Sequence, residues 1–235
     1  APTNGDTLEV GKDEVFDAEA GLSLDWYRPA DRADQTLPVI LFFYGGSWQD
    51  GDRADYRFVA ASLAERGYLV VVPNYRKSPQ VDFTTIMQDG ARATRWVHDQ
   101  LDRLRGNPQR FYLMGHSAGA HLAALLATQN QWLQAVDLTP GVIAGVVGLA
   151  GPYDFTPRAA DIRRVFEGAP EDVTHLSRLV SGDEPPMLLQ YGLADKVVGP
   201  QNHERLSAAL SAQGVCHRVI TYDGLGHVDL VSAFS

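Results

Sequence analysis

Cysteine is nearly absent from this sequence, and long apolar runs are missing from it. Cys216 is the one cysteine in 235 residues, so no disulfide can form within the chain and cysteine usage does not identify a compartment. We expect its side chain to be buried as a small apolar group. No stretch approaches the roughly 20 apolar residues that a membrane-spanning helix needs. The sequence therefore predicts neither a disulfide framework nor a membrane span.

Positive charge is also scarce. The chain has 20 lysine and arginine residues against 29 aspartate and glutamate residues, which gives a formal net charge of -9. Nucleic acids and anionic membranes attract clustered basic side chains, so we expect neither as a partner. No set of histidine, cysteine and carboxylate residues has the spacing of metal ligands. Gly145, Gly148 and Gly151 lie along a strand-like run, whereas the glycines of a dinucleotide-binding motif lie at a strand-to-helix turn. We therefore expect no metal and no dinucleotide.

A serine lies at the centre of the most informative motif, Gly115-His116-Ser117-Ala118-Gly119. The apolar run 111–114 precedes it and the helix-forming run 120–127 follows it, which predicts a strand, a sharp turn and a helix. A serine on such a turn is held in a strained backbone conformation with its hydroxyl exposed, and the flanking glycines let neighbouring backbone approach closely. The motif predicts that Ser117 is a nucleophile.

A serine nucleophile needs a histidine to accept its proton and a carboxylate to orient that histidine. Asp195 follows the apolar run 187–191 and is our predicted acid, because it would lie at the carboxyl end of a strand. Asp154 is the alternative acid, since it follows the strand-like run ending at Ala150. His227 follows the last strand-like run through two glycines and is our predicted base.

The remaining six histidines have other expected roles. His116 and His121 flank the nucleophile motif, and we expect them to pack against neighbours rather than act as bases. Four others lie in polar surroundings, and we expect them to be solvated: His98, His175, His203 and His217.

A glycine pair follows the buried-strand pattern of residues 38–44. Attack on an acyl carbonyl builds negative charge on its oxygen, and fixed backbone N–H donors stabilise that charge. Glycines let such donors come close, so we assign the oxyanion hole to the N–H groups of Gly46, Ser47 and Ala118. Trp48 and Tyr153 either line the substrate pocket or pack against the core, and the sequence leaves both interpretations open.

Four elements together resemble the bacterial esterase and lipase branch of the α/β hydrolases, which includes feruloyl-esterase-like, formamidase-like and hormone-sensitive-lipase-like enzymes. They are Tyr44–Trp48, Gly67–Arg76, Gly115–Leu122, and the loops of Asp195 and His227. The resemblance covers nearly the whole chain and implies the α/β-hydrolase fold, a serine-histidine-carboxylate triad and no cofactor.

The chain departs from that family's pattern in two places. The family usually has a histidine where this sequence has Tyr44, and we expect the tyrosine to fill the space and donate a hydrogen bond instead. Relatives continue through a final helix after the catalytic histidine, whereas this sequence ends at Ser235. We therefore expect that helix to be lost or the fold to close differently.

Strand-like and helix-like runs alternate along the chain, which predicts a mostly parallel sheet covered by helices on both faces, in one domain over residues 1–235 with little or no cap. The carboxyl ends of the strands would then bring the candidate residues into one cleft. The predicted strands are 22–27, 38–44, 68–73, 111–114, 142–150, 187–191 and 217–222, and the predicted helices are 56–66, 84–104, 118–127 and 201–213.

The sequence starts at Ala1, without methionine. This start favours either export with removal of a signal segment or a trimmed chain.

The residues predict a two-step acyl transfer on a small-molecule ester, with no cofactor. The segment 156–186 is the candidate lid, and its many charged side chains favour short-chain carboxylic esters over long acyl chains.

Two alternative functions stay open. An arylformamidase or an acetyl or feruloyl polysaccharide esterase would use the same triad, and a non-catalytic binding protein would use the same fold. Neither the oligomeric state nor the natural substrate is predicted.

Overall fold

An eight-stranded sheet organises the computed structural model, which describes residues 7–235. Its order is β1-β2-β4-β3-β5-β6-β7-β8. From β4 to β8 every neighbouring pair is parallel, whereas β1 and β2 join antiparallel at one edge, so the predicted mostly parallel sheet is confirmed. The strands are β1 (Leu8–Asp17), β2 (Leu22–Pro29), β3 (Leu37–Phe43), β4 (Leu69–Pro73), β5 (Gly106–His116), β6 (Gly145–Leu149), β7 (Met187–Gly192) and β8 (His217–Tyr222).

Both faces of the sheet are covered. Successive side chains of a strand point to opposite faces, and the five consecutive side chains from Val39 to Phe43 are all buried. Among the helices, α1 packs on β2 and β4, α4 on β5 and β6, and α7 on β8. The helices are α1 (Arg57–Glu65), α2 (Phe83–Asp99), α3 (Leu101–Leu104), α4 (Ala118–Thr128), α5 (Gln131–Gln134), α6 (Ala160–Val165), α7 (Gln201–Ala212) and α8 (Asp229–Ser232). No helix within residues 7–235 is long and apolar enough to cross a bilayer.

Every predicted strand and helix has a counterpart in the structure, and three of them differ from it by more than two residues at a boundary. The predicted helix 84–104 is divided, because α2 ends at Asp99 and α3 begins at Leu101. The predicted strand 111–114 is only the inner part of β5. The predicted strand 142–150 starts at the last residue of a short 3₁₀ turn, Pro140–Val142, and β6 begins only at Gly145. β1 was not predicted. It is an edge strand with a largely exposed, charged sequence, so it lacks the alternating apolar pattern of a half-buried strand.

The candidate lid segment folds onto the body of the protein. It contains α6 and two short 3₁₀ helices, and its apolar side chains Val165, Phe166, Val173 and Leu176 are buried in the main core. Because these groups need the core to cover them, the segment does not form a separate cap. The charged side chains on which the prediction of a polar lid was based are exposed on the outer surface of the segment.

Three side chains are placed differently from our expectation. His175 and His203 are buried, so the prediction that they are solvated is wrong. His203 stacks on Tyr191, with ring centroids 4.3 Å apart. Cys216 is exposed rather than buried, because it directly precedes β8, an edge strand of the sheet.

Candidate active site

Ser117 lies on a strained turn between β5 and α4. Its backbone has φ 54° and ψ -122°, a conformation that L-residues rarely adopt. The turn is held because the Ser117 N–H donates to the carbonyl of Leu149 at 2.9 Å. Close backbone packing explains the glycines: a Cβ at Gly119 would lie 2.0 Å from the carbonyl oxygen of Phe43, and a Cβ at Gly115 would lie 2.3 Å from Gly119. The turn therefore needs both glycines and presses the start of α4 against the end of β3.

The three predicted triad residues lie in one hydrogen-bonded line. His227 Nε2 is 2.9 Å from Ser117 Oγ, and His227 Nδ1 is 2.8 Å from Asp195 Oδ2. The Asp195 side chain is fully buried, and its other oxygen accepts the N–H groups of Val197 and Val198 at 2.8 and 2.9 Å. Because the carboxylate can only accept, His227 Nδ1 carries the proton and Nε2 is free to accept the serine proton.

The alternative acid, Asp154, is placed elsewhere. One of its oxygens pairs with Arg205 at 2.8 Å, and the other accepts a hydrogen bond from Ser177. Within residues 7–235 it makes no hydrogen bond to His227, so the structure brings Asp195 rather than Asp154 to the histidine.

The loops of Asp195 and His227 are fastened to each other. The N–H groups of Leu193 and Ala194 donate to the carbonyls of Tyr222 and Leu225, each at 2.9 Å. A short helix, α8, follows His227 and buries Leu230 and Val231. The chain after His227 therefore ends in one short helical turn whose apolar side chains pack into the body of the protein.

The oxyanion loop follows β3 and is shaped by three residues with positive φ: Gly46, Ser47 and Trp48. A Cβ at Gly46 would lie 2.1 Å from the carbonyl oxygen of Asp50, so this position requires glycine. Within the described chain the N–H groups of Gly46 and Ser47 donate to no protein acceptor. The Gly45 N–H, in contrast, donates a hydrogen bond to Tyr56 Oη. The N–H of Ala118 opens α4 and has no partner within that helix. These three free N–H groups are the ones assigned from the sequence.

Tyr44 packs but does not brace the loop through its hydroxyl. Its ring is fully buried and stacks on Tyr75, with centroids 4.6 Å apart. Its hydroxyl has no hydrogen-bond partner within residues 7–235, so the expected hydrogen bond is absent there. Tyr75 supplies the brace instead, because its hydroxyl donates to the carbonyl of Tyr44 at 2.9 Å.

His116 connects the oxyanion loop to the His227 loop, a link that no local sequence pattern indicates. His116 Nε2 lies 3.0 Å from the carbonyl oxygen of His227, which can only accept, so Nε2 carries the proton. Burial lowers the pKa of His116 to about 4 and keeps the ring neutral. The bare Nδ1 therefore accepts from the Tyr56 hydroxyl at 3.0 Å, and Tyr56 Oη in turn accepts the Gly45 N–H at 3.2 Å.

Trp48 and Tyr153 are 3% and 2% exposed, which favours the packing interpretation over pocket lining. Trp48 meets His121 edge-on at 5.3 Å and stacks on Phe155 at 5.9 Å. His121 donates from Nε2 to the carbonyl of Val173 at 2.6 Å, and burial lowers its pKa to about 4. These groups form an apolar, neutral cluster behind the oxyanion loop, and His121 packs as expected.

Exposed apolar side chains lie on the loops that carry Asp195 and His227. Five large apolar side chains are exposed among the described residues, and three of them lie on the triad loops: Leu193, Val197 and Val228. Leu193 and Val197 flank Asp195 by two positions, and Val228 follows His227. These three side chains, which we call the apolar rim, are exposed although the chain carries net negative charge.

Comparison with known proteins decides the family. The BD-FAE family profile matches residues 24–210, which is most of the chain and includes Ser117 and Asp195. The chain belongs to the BD-FAE family. The resemblance to α/β-hydrolase esterases inferred from the sequence is thereby confirmed.

Relatives of this BD-FAE chain include enzymes acting on esters and a formamidase. It is 29% identical over 247 residues to the isoprenylcysteine alpha-carbonyl methylesterase of Arabidopsis thaliana, covering 94% of this chain and 57% of that protein. It is 32% identical over 145 residues to the kynurenine formamidase of Danio rerio, covering 62% of this chain and 47% of that protein. The chain spans about half the length of the curated relatives it matches.

Solved structures establish the fold. An inhibited esterase B from Lactobacillus rhamnosis superposes with a TM-score of 0.82 at 24% identity, covering 96% of this chain and 81% of that chain. At this identity the likeness concerns the fold. The α/β-hydrolase architecture, with little or no cap, is therefore confirmed.

Proposed function

We propose that this chain is a serine carboxylesterase that cleaves small carboxylic esters through an acyl-enzyme on Ser117. The observation that carries the proposal is the continuous line from buried Asp195 through His227 to Ser117 Oγ, with distances of 2.8 and 2.9 Å. Hydrogen bonds of this length join the three groups that proton transfer requires. A non-catalytic protein would not need this alignment.

The geometry gives each group one step. His227 Nε2 takes the Ser117 proton as Oγ attacks the carbonyl carbon, and the same proton goes to the leaving alcohol. Asp195 holds the imidazole by Nδ1 and stabilises its charged form. The free N–H groups of Gly46, Ser47 and Ala118 are the candidate donors to the carbonyl oxygen, where negative charge develops. Water activated by His227 then releases the acid and restores Ser117.

Small ester groups suit the surroundings of Ser117. The aromatic cluster of Trp48, His121, Phe155 and Phe166 fills the space behind the oxyanion loop, which leaves little room there for a long acyl chain. The exposed rim supplies apolar contacts to a short acyl or alcohol group. Relatives named as methylesterases support a small group on the alcohol side of the ester.

The test compares purified wild-type chain with Ser117→Ala on 4-nitrophenyl acetate, butyrate and palmitate. We expect wild type to turn over the two short esters with a higher kcat/KM than the palmitate, and the variant to lose turnover. A folded wild type that cleaves none of these esters contradicts the proposal. A higher kcat/KM for the palmitate contradicts the short-chain preference alone.

A formamide substrate is the second candidate, favoured by the similarity to a kynurenine formamidase. The same triad can attack a formyl carbonyl, because the tetrahedral intermediate needs the same oxyanion donors. Measuring kcat/KM for phenyl formate and for formanilide on the same preparation distinguishes the esterase from the formamidase. Higher kcat/KM on the anilide favours the formamidase, and higher kcat/KM on the ester favours the esterase.

A further inference from the structure

A cavity of about 690 Å³ opens beside the acid loop. It lies between the loop that follows β6 and the start of α7. Its walls are largely apolar, including Phe155, Ile162 and Val197, and three charged residues line it: Asp154, Arg158 and Arg205. None of the triad residues lines it.

The charged residues of the cavity are not equivalent. Asp154 is buried, and both of its oxygens are engaged, one by Arg205 at 2.8 Å and the other by Ser177. Arg205 uses one terminal nitrogen in this pair and remains largely exposed, so its guanidinium is anchored with donors to spare. Arg158 is exposed, and no acidic side chain within residues 7–235 pairs with its guanidinium. The cavity therefore offers net positive charge in a protein whose formal net charge is -9.

The cavity adjoins the triad through one short segment. Val197 and Val198 line the cavity, and their N–H groups hold Asp195 Oδ1 at 2.8 and 2.9 Å. The Val197 side chain is exposed and also belongs to the apolar rim of the site. The rim and the cavity lined by Arg158 and Arg205 therefore share Val197.

We infer that this cavity is a subsite for an anionic group on the substrate, so that the preferred esters carry a carboxylate or a like anion at the end remote from the scissile bond. The inference rests on the proposed esterase activity and narrows its substrate class. Arg158 is the free donor, and Arg205, fixed by Asp154, is the second. Arginine presents paired N–H donors that match a carboxylate, and apolar walls strengthen such a contact by excluding water.

The experiment uses two pairs of esters that differ by one carboxylate. Mono-4-nitrophenyl adipate against 4-nitrophenyl hexanoate places the charge on the acyl side, and 4-acetoxybenzoate against phenyl acetate places it on the alcohol side. For each pair the ratio of kcat/KM, charged over neutral, is compared between wild type and Arg158→Gln. Comparing ratios removes the intrinsic reactivity of each ester. Arg158 is exposed and unpaired, so its substitution leaves the fold intact.

We expect the ratio of at least one pair to be about tenfold lower in Arg158→Gln, the size expected for a hydrogen-bonded charge. The change should lie in KM, because the carboxylate is remote from the reacting bond. About 0.5 M NaCl should reduce the wild-type ratio, since salt screens partly exposed charges. Arg164→Gln is the control, because it removes one exposed charge from the same segment outside the cavity.

Equal ratios in wild type and Arg158→Gln for both pairs overturn the inference, and so does an equal fall in the Arg164→Gln control, which would indicate a general charge effect. Both results leave turnover of the neutral esters in place, so they are distinguishable from failure of the proposed function. Loss of turnover on all four esters in wild type would instead remove the esterase proposal on which the subsite depends.

Discussion

Replacing Tyr56 with phenylalanine tests whether the hydrogen-bonded link beneath the active site positions it. The Tyr56 hydroxyl joins the Gly45 N–H at 3.2 Å to His116 Nδ1 at 3.0 Å, and His116 Nε2 donates to the carbonyl of His227. Tyr56→Phe keeps the ring, which packs against Phe42 and Tyr44 with centroids 5.6 and 6.0 Å away. The variant therefore removes the link without opening a cavity.

The expected magnitude follows from the groups left unpaired. One N–H donor and one imidazole nitrogen lose their partner, and each buried unsatisfied group costs about 1–3 kcal/mol. Tyr56 is partly accessible to solvent, so we expect a lower-range total of about 2 kcal/mol in the free energy of unfolding. Displacement of the oxyanion loop relative to His227 should lower kcat about tenfold to 100-fold, with little change in KM, because alignment matters in the transition state.

The assay measures urea unfolding and steady-state kinetics on 4-nitrophenyl butyrate. Tyr68→Phe is the matched control, since within residues 7–235 the Tyr68 hydroxyl makes no hydrogen bond to the protein. A folded Tyr56→Phe whose kcat stays within about twofold of wild type refutes the reasoning, because that is a barrier change below 0.5 kcal/mol or so. An equal loss of kcat in Tyr68→Phe refutes it too.

Three further predictions concern the elements around the site. Asp195→Asn should lower kcat on 4-nitrophenyl butyrate about 10³- to 10⁴-fold, because the amide favours the wrong imidazole tautomer. Asp154→Asn should lower kcat less than about tenfold, and the reverse ranking would assign the acid role to Asp154. Gly119→Ala places a Cβ 2.0 Å from a backbone oxygen, so we expect a loss of more than about 3 kcal/mol in the free energy of unfolding, and near-wild-type urea denaturation would contradict the packing of this turn. His116 and His121 have a pKa lowered to about 4 by burial, against about 6.5 when unfolded, so the unfolded chain binds more protons between these values. The free energy of unfolding should fall as pH drops from about 6.5 to about 4, by up to about 3 kcal/mol for each histidine, and His121→Gln should reduce the fall seen in urea denaturation; an unchanged fall would contradict this cause.

Local patterns were enough to find the inner strands and the triad candidates. The runs before Ser117 and Asp195 are apolar, and buried parallel strands need apolar side chains on both faces. Glycines at Gly46 and Gly119 marked the places where backbone atoms approach within a distance that no Cβ tolerates. Apolar runs and glycine positions of this kind can be recognised from consecutive residues alone.

Features that depend on distant contacts could not be read in this way. Tyr56 and His116 are 60 positions apart, and neither has a local pattern that indicates their hydrogen bond. β1 is held by pairing with β2 rather than by apolar alternation, so its sequence resembles an exposed segment. The burial of His175 and His203 arises from packing of the lid segment and α7, which consecutive residues do not encode.

The central claim is that Ser117 is a nucleophile activated by His227. The most direct measurement treats the folded chain with a fluorophosphonate, determines its intact mass and maps the modified peptide. We predict a single adduct on Ser117 that is absent in Ser117→Ala and forms much more slowly in His227→Gln. An adduct on another residue, or none on a folded chain, would contradict the account.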